Sequence, residues 1–287
     1  MPEIEEYRQI GKELYNKLRL LTYPVAIKFI KDLTEIPEGA QQPSKMGQQL
    51  SLCQSFTMAR RWGASVAMTI EDNLCYTSSL VHQWEKVPIK DIITSQVKSG
   101  YHKDLNAELA VQSAFSELAN KKTFDKIKDH KGFIVSPLTR TIVIPDIILM
   151  YGDPAQVTHV IHALSYEGKY VVTSSFIGYG ESCIKGVLVP FVTNKPQVVL
   201  PGTGDRTLSL TKEEEMAIGF PGALLFYIVE NLFKSGGIFN MRQPTRFVLG
   251  TPPAGPPAWD YLRRQVKKYK REREEGIKKD SEEKLND

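Results

Sequence analysis

The segment Asp146 to Cys183, DIILMYGDPAQVTHVIHALSYEGKYVVTSSFIGYGESC, decides the fold class. Asp146 to Tyr151 reads as a strand. Ala155 to Tyr166 carries the spacing of a helix and stops at Gly168. Lys169 to Ser175 is then expected as a second strand, and the turn Gly178-Tyr179-Gly180 leads to Cys183. The same order of strand, helix, glycine, strand, polar turn and cysteine occurs earlier, between Val25 and Cys75. There the strands are Val25 to Ile30 and Ala64 to Ile70. Ser44 is the expected cap of a helix that runs to Trp62 and is closed by Gly63. Glu71-Asp72-Asn73 is the polar turn. These pseudo-repeats, about 24–75 and 146–183, predict an α+β protein. Two related halves, each a small sheet with packed helices, would form one globule with the cysteines near the junction.

Working outward, Ile4, Tyr7, Ile10, Leu14 and Leu18 recur at helical spacing, and Tyr23-Pro24 ends that helix. Glu35 to Pro43 is a loop by its Pro and Gly content. A helical region is expected from Ile89 to Asn120, and strands at Phe133 to Leu138 and Val198 to Leu200. Pro221 suits the first turn of a helix carrying Leu224, Leu225, Ile228, Val229 and Leu232, with a stop at Gly236-Gly237. The domain so defined covers residues 1–250. TPPAGPPAWD, residues 251–260, reads as a Pro-rich linker, and 261–287 as a charged C-terminal helix or tail.

The composition narrows the function classes. Of the net charge of +4 over 287 residues, Arg263 to Asp287 supplies +3, from ten Lys/Arg against seven Asp/Glu. The body is close to balanced, so nucleic acid is not an expected partner. No apolar run approaches the roughly 18 residues that span a membrane. The acidic, helical start is unlike a signal peptide. The three cysteines contain no CxxC pair, which fits reduced thiols in the cytoplasm better than a disulfide framework.

Those cysteines are the leading candidates for chemistry. Free cysteines are often small buried hydrophobes. Cys75 and Cys183, however, each follow a strand end and a polar or glycine-rich turn, where functional groups are commonly placed. Together with Cys53 they could hold a four-iron four-sulfur (4Fe-4S) cluster with one open iron. They could also hold zinc with a fourth ligand from His82, or from His159 and His162. Glu71, Asp72 and His82 are candidate proton-transfer groups. The loop Gly202-Thr203-Gly204-Asp205-Arg206 is a candidate anion nest, with Arg206 as a forked donor. Lys28, inside the apolar run VAIKFI, could face a cleft and hold a small anionic molecule. The alternative is a non-catalytic module that binds a small molecule or a tetrapyrrole such as haem, using the same loop with Phe176 and Tyr179, and in which the cysteines are packing residues. An electron-transfer partner and self-association into a homo-oligomer are further expectations.

Several segments, taken in order, carry a family resemblance: YPVAIKFI (23–30) with EIPEGA (35–40), LCQSFTMARRWG (52–63), TIEDNLC (69–75), PDIILMYGDPAQV (145–157), VLPGTGDR (199–206) and TKEEEMAIGFP (211–221). From about Leu20 to about Leu232 the chain resembles the prokaryotic family known as domain of unknown function 169, or the ArCR group. The resemblance implies a setting in anaerobic metabolism, where an oxygen-sensitive centre is at home, and it draws attention to Cys53, Cys75 and Cys183, which fall inside the matching segments. It brings no established reaction. Tyr76-Thr77-Ser78-Ser79 departs from the proline and glycines that the family often has after TIEDNLC.

Overall fold

A computed structural model describes residues 2–84, 88–98, 100, 103–118, 125–176, 178–234 and 257–286. The chain divides into two compact units, residues 1–235 and 236–287.

The first unit is α+β. It opens with α1 (Ile4–Leu18), whose Glu3 and Glu6 form a capping box and whose end is turned by Arg19 in the left-handed region. β1 (Val25–Ile30) follows. The expected helix from Ser44 is only a single 3-10 turn there. The helix proper is α2 (Leu52–Thr57), capped by Ser51, whose hydroxyl accepts from the Gln54 amide while Gln54 bonds back to the Ser51 amide. It runs on as a π-helical turn, Met58–Trp62, and ends at Gly63 in the left-handed region. β2 (Val66–Thr69), α3 (Tyr76–Val81), α4 (Ile89–Lys98), α5 (Leu105–Leu118), β3 (Gly132–Pro137) and β4 (Ile147–Gly152) come next. Asp153 caps α6 (Pro154–Ser165). A π-helix, Glu181–Leu188, then passes directly into α7 (Val189–Thr193). β5 (Gln197–Val199), α8 (Thr203–Leu208), β6 (Met216–Pro221) and α9 (Leu224–Asn231) complete the unit.

All six strands belong to one antiparallel sheet of order β2-β3-β1-β4-β6-β5. The two expected halves therefore share one sheet, joined where β1 pairs with β4, Val25 opposite Leu149. Two strand expectations change. Lys169 to Ser175 forms no strand; its serines instead serve as side-chain partners, Ser174 for the Val198 amide and Ser175 for Lys185. Met216–Pro221 is a strand, and Pro221 closes it rather than opening a helix. Gly219 marks the reason, because a Cβ there would collide with the Gly186 carbonyl. Glycine lets the π-helix lie directly on the sheet.

Alternation along the strands sends side chains to opposite faces. Val25, Ile27, Phe29, Leu149 and Tyr151 pack beneath α2 and the π-helix Glu181–Leu188. Ala26, Ile148, Met150, Ile218 and Phe220 pack beneath α1, α6 and α9. Each fully buried Leu or Ile contributes about 2 kcal/mol through removal from water.

The second unit holds α10 (Pro257–Asn286), so residues 257–260 of the expected linker are helical. Residues 251–256 and the Gly236-Gly237 stop lie outside the described residues. Lys268 and Glu272, one turn apart on α10, are 3.8 Å from each other.

Candidate functional site

Two backbone junctions gather the cysteines. The polar turn after β2 is stitched to the strand-like residue just before α2: the Leu50 amide donates to Asp72 O at 2.8 Å, and the Leu74 amide to Leu50 O at 3.0 Å. Cys53 and Cys75 lie three and one residues beyond those bonds. The second junction joins the two glycine loops. A Cβ on Gly202 would stand 2.6 Å from Gly178 O, so only glycine permits the approach that seats the 202–206 loop against the turn before Cys183. Cys53 links the junctions, since its thiol donates to Gly204 O at 3.6 Å.

The result brings the three cysteines into one electrostatic neighbourhood. Cys75 acts electrostatically on both Cys53 and Cys183, and Cys53 on Cys183. Each thiol stands at or near the start of a helical segment: Cys53 in α2, Cys75 just before α3, Cys183 third in the π-helix. Segments of π-helix occur frequently at functional sites. Burial pushes the Cys53 thiol up to about 12, with the Asp205 carboxylate adding to the effect. Burial likewise raises Cys183 well above the ordinary range, followed by the influence of Cys75, Cys53 and Asp205.

Asp205 is the buried acid that acts on Cys53 and Cys183. Its Oδ1 lies 3.3 Å from the Tyr151 hydroxyl, and its Oδ2 accepts from the Gly202 amide at 3.3 Å. Burial raises its pKa against hydrogen bonds from Ser182, Gly202 and Tyr151 that favour the anion. Arg60 lies across the Tyr151 ring at 4.1 Å and is paired with Glu215 at 2.7 Å, its side chain fully buried. Neither Arg60 nor Tyr151 is readable as functional from local sequence, because each sits in an ordinary apolar or helical context.

The other candidates sit as follows. Asp72 is fully buried and accepts four hydrogen bonds, from the Ser44 amide and hydroxyl and the Thr69 amide and hydroxyl. It staples a loop, and its lone pairs are committed. Glu71 is exposed. His82 is enclosed by Phe133, Trp84 and Phe29, with both ring nitrogens buried and without a hydrogen-bond partner. Burial pushes it down to about 3, with nearby His130 acting in the same direction. His159 and His162 are on α6, on the opposite face of the sheet from the cysteines. Lys28 also alternates away from the cysteine face and pairs with Asp146 at 2.8 Å. Arg206 spends its guanidinium on Pro201 O and Lys212 O, at 3.0 and 2.6 Å. Gly202, Gly204 and Asp205 thus lie close to the cysteines, whereas the two expected cations bind their own surroundings. Phe176 is exposed, and Tyr179 packs with Cys183 against the core.

Among the described residues no three His, Cys, Asp or Glu side chains are grouped to hold a single metal ion. No helix among them is long and apolar enough to cross a membrane.

The family model described as "Uncharacterised ArCR", domain of unknown function 169, matches residues 13–231. The chain belongs to this family. A curated relative, "Uncharacterized protein MJ0308" of Methanocaldococcus jannaschii, is 27% identical over 234 residues, covering 79% of this chain and 94% of its own length. No solved structure matches. The ArCR match takes in all three cysteines, the 202–206 loop and Asp205, and stops before α10.

Proposed function

We propose that this ArCR protein is a cytoplasmic metalloprotein of anaerobic metabolism, holding a 4Fe-4S cluster on Cys53, Cys75 and Cys183. The observation that carries the reading is that these thiols, from three separate segments, act electrostatically on one another, with burial raising Cys53 and Cys183. Burial disfavours ionisation of the Cys53 and Cys183 thiols, and a cationic metal centre is what converts buried thiols to ligands. A four-iron core is larger than a single atom, so its ligand sulfurs stand further apart than those around zinc. The histidines that could complete a zinc site lie elsewhere. When bound, the cluster supplies an open iron able to act as a Lewis acid or an electron donor. The chain's own part is to exclude water, to hold the sulfurs by the two backbone junctions, and to present the Asp205 carboxyl, steadied by Tyr151, beside them. A reducing compartment keeps such thiols available.

The test is anaerobic purification with iron and acid-labile sulfide counted per chain. About four of each, with broad visible absorption lost on Cys75→Ala and on Cys183→Ala, is the expected result. A colourless, iron-free chain overturns the reading, and a sharp Soret band would replace it with haem.

A further inference from the structure

Residues 257–286 form one continuous helix, α10, and its charge is divided end from end. Pro257 to Arg271 carries six Lys/Arg against one acid, Asp260, a net of +5. Glu272 to Asn286 carries four Lys/Arg against six Asp/Glu, a net of −2. Within the basic half, Leu262, Val266 and Tyr269 are spaced by four and three residues, which places them in one stripe along the helix. All three are more than half exposed, at 56%, 52% and 66%. Leu262 and Val266 line a shallow groove with Arg263, Lys267 and Lys270.

Charge selects among the occupants that could cover this stripe. An anionic membrane surface or a nucleic acid would attract the first half of α10 and repel the second. A second copy laid parallel would set basic half on basic half and acidic half on acidic half. A second copy laid antiparallel sets each basic half against an acidic half, twice over, about a two-fold axis at the helix midpoint. That axis puts residue 266 level with residue 277 of the other copy, valine beside isoleucine. The overlap would be about 45 Å long and about 10 Å wide, at the low end of specific interfaces, so the pairing is weak and sensitive to salt.

We infer that α10 pairs antiparallel with α10 of a second copy of this chain, with Leu262, Val266 and Tyr269 in the seam and each basic half against the other copy's acidic half. α10 lies outside the ArCR match, which ends at residue 231, so the pairing stands or falls apart from the cysteine chemistry.

The full-length chain is followed by analytical ultracentrifugation over a range of concentrations. A monomer–dimer equilibrium with a Kd of about 10 μM at low salt is expected, weakening about tenfold between about 0.05 M and about 0.5 M salt as the charges are screened. Lys267→Glu, Lys270→Glu and Arg271→Glu together should weaken it by about tenfold or more, and adding Glu274→Lys, Glu282→Lys and Glu283→Lys to the same chain should restore it. Leu262→Ala with Val266→Ala, which keeps good helix formers, should also weaken it about tenfold. Circular dichroism checks that each variant keeps its helix content. A photo-crosslinking p-benzoylphenylalanine in place of Tyr261 should mark residues near 282 of the other copy, told apart from its own chain by isotope labelling. A chain that stays monomeric at about 100 μM, whether or not it binds anionic lipid vesicles or duplex DNA, overturns the inference. So does a dimer indifferent to the charge changes, and so do cross-links from position 261 to residues 257–265 of the other copy, which report parallel pairing.

Discussion

Beneath α1, α6 and α9 the sheet meets mostly hydrocarbon: Ala26, Ile148, Met150, Ile218 and Phe220 against Leu14, Leu18, Val157, Val160 and Leu225. Its buried polar side chains include His159 and two amides: Gln156 closes the end of α1 by donating to Leu18 O and Arg19 O, and Asn231 donates to Tyr227 O within α9. The other face buries Arg60, Asp205, Glu181, Ser182, Lys185 and Tyr151 among its apolar residues, and it carries both π-helical stretches. One side of the sheet is built to hold the fold and the other to hold polar groups out of water. Buried ionisable groups cost stability unless satisfied, so their concentration on one face points to function there.

The contrast can be strained from both sides. Glu215→Gln should have the largest effect, about 3–5 kcal/mol in urea denaturation, because it leaves the fully buried Arg60 guanidinium without its carboxylate. A loss below about 1 kcal/mol would mean that Arg60 finds water or another partner and that the face is less dry than drawn. Ile148→Ala, on the hydrocarbon face, should cost about 3 kcal/mol by the same measurement while leaving any cofactor content unchanged. Loss of colour together with stability would show that the faces are not separable.

His82 gives a smaller, pH-dependent signal. Its folded pKa is depressed to about 3 by burial, from an ordinary value of 6.5. As pH falls below 6.5 the unfolded chain takes up the proton first, so stability present above 6.5 is lost toward pH 3. The slope from this one group approaches about 1.4 kcal/mol per pH unit, and His82→Leu should remove it. Unfolding midpoints across that range that are parallel for variant and wild type would count against a neutral, water-free His82. Cys183→Ala should have the smallest effect on stability, about 1 kcal/mol, since it removes one sulfur at the edge of the core. A much larger loss in the metal-free chain would make Cys183 a packing residue first.

Much of the fold is legible in local pattern. Helical spacing from Ile4 to Leu18 and strand runs at Val25 to Ile30 and Asp146 to Tyr151 appear in the structure nearly where the residues indicate. The failures have local causes. Ser44 and Ser51 are both plausible caps, and only Ser51 is followed three residues later by a Gln that can close the box. Lys169 to Ser175 has strand-like residues but no partner strand. Met216–Pro221 holds a glycine and a proline, which argue against a strand until the π-helix pressed against Gly219 is seen. For the site, Cys53, Cys75, Cys183, Gly202, Gly204 and Asp205 stand out by residue type and turn context. Lys28, Arg206 and Asp72 stand out equally and turn out to be tied to Asp146, to carbonyls and to a loop staple.

What the residues determine by themselves is short-range: periodicity, caps, the α+β class, and thiols placed at the ends of turns. Where the thiols are placed depends on contacts between separate segments, such as Cys53 with Gly204, 151 residues further along, and Gly178 with Gly202. The same holds for charge. A lysine or arginine carries its cation wherever it is, but whether that cation serves a pocket depends on which carboxylate or carbonyl the fold brings to it first, as with Lys28 on Asp146 and Arg60 on Glu215.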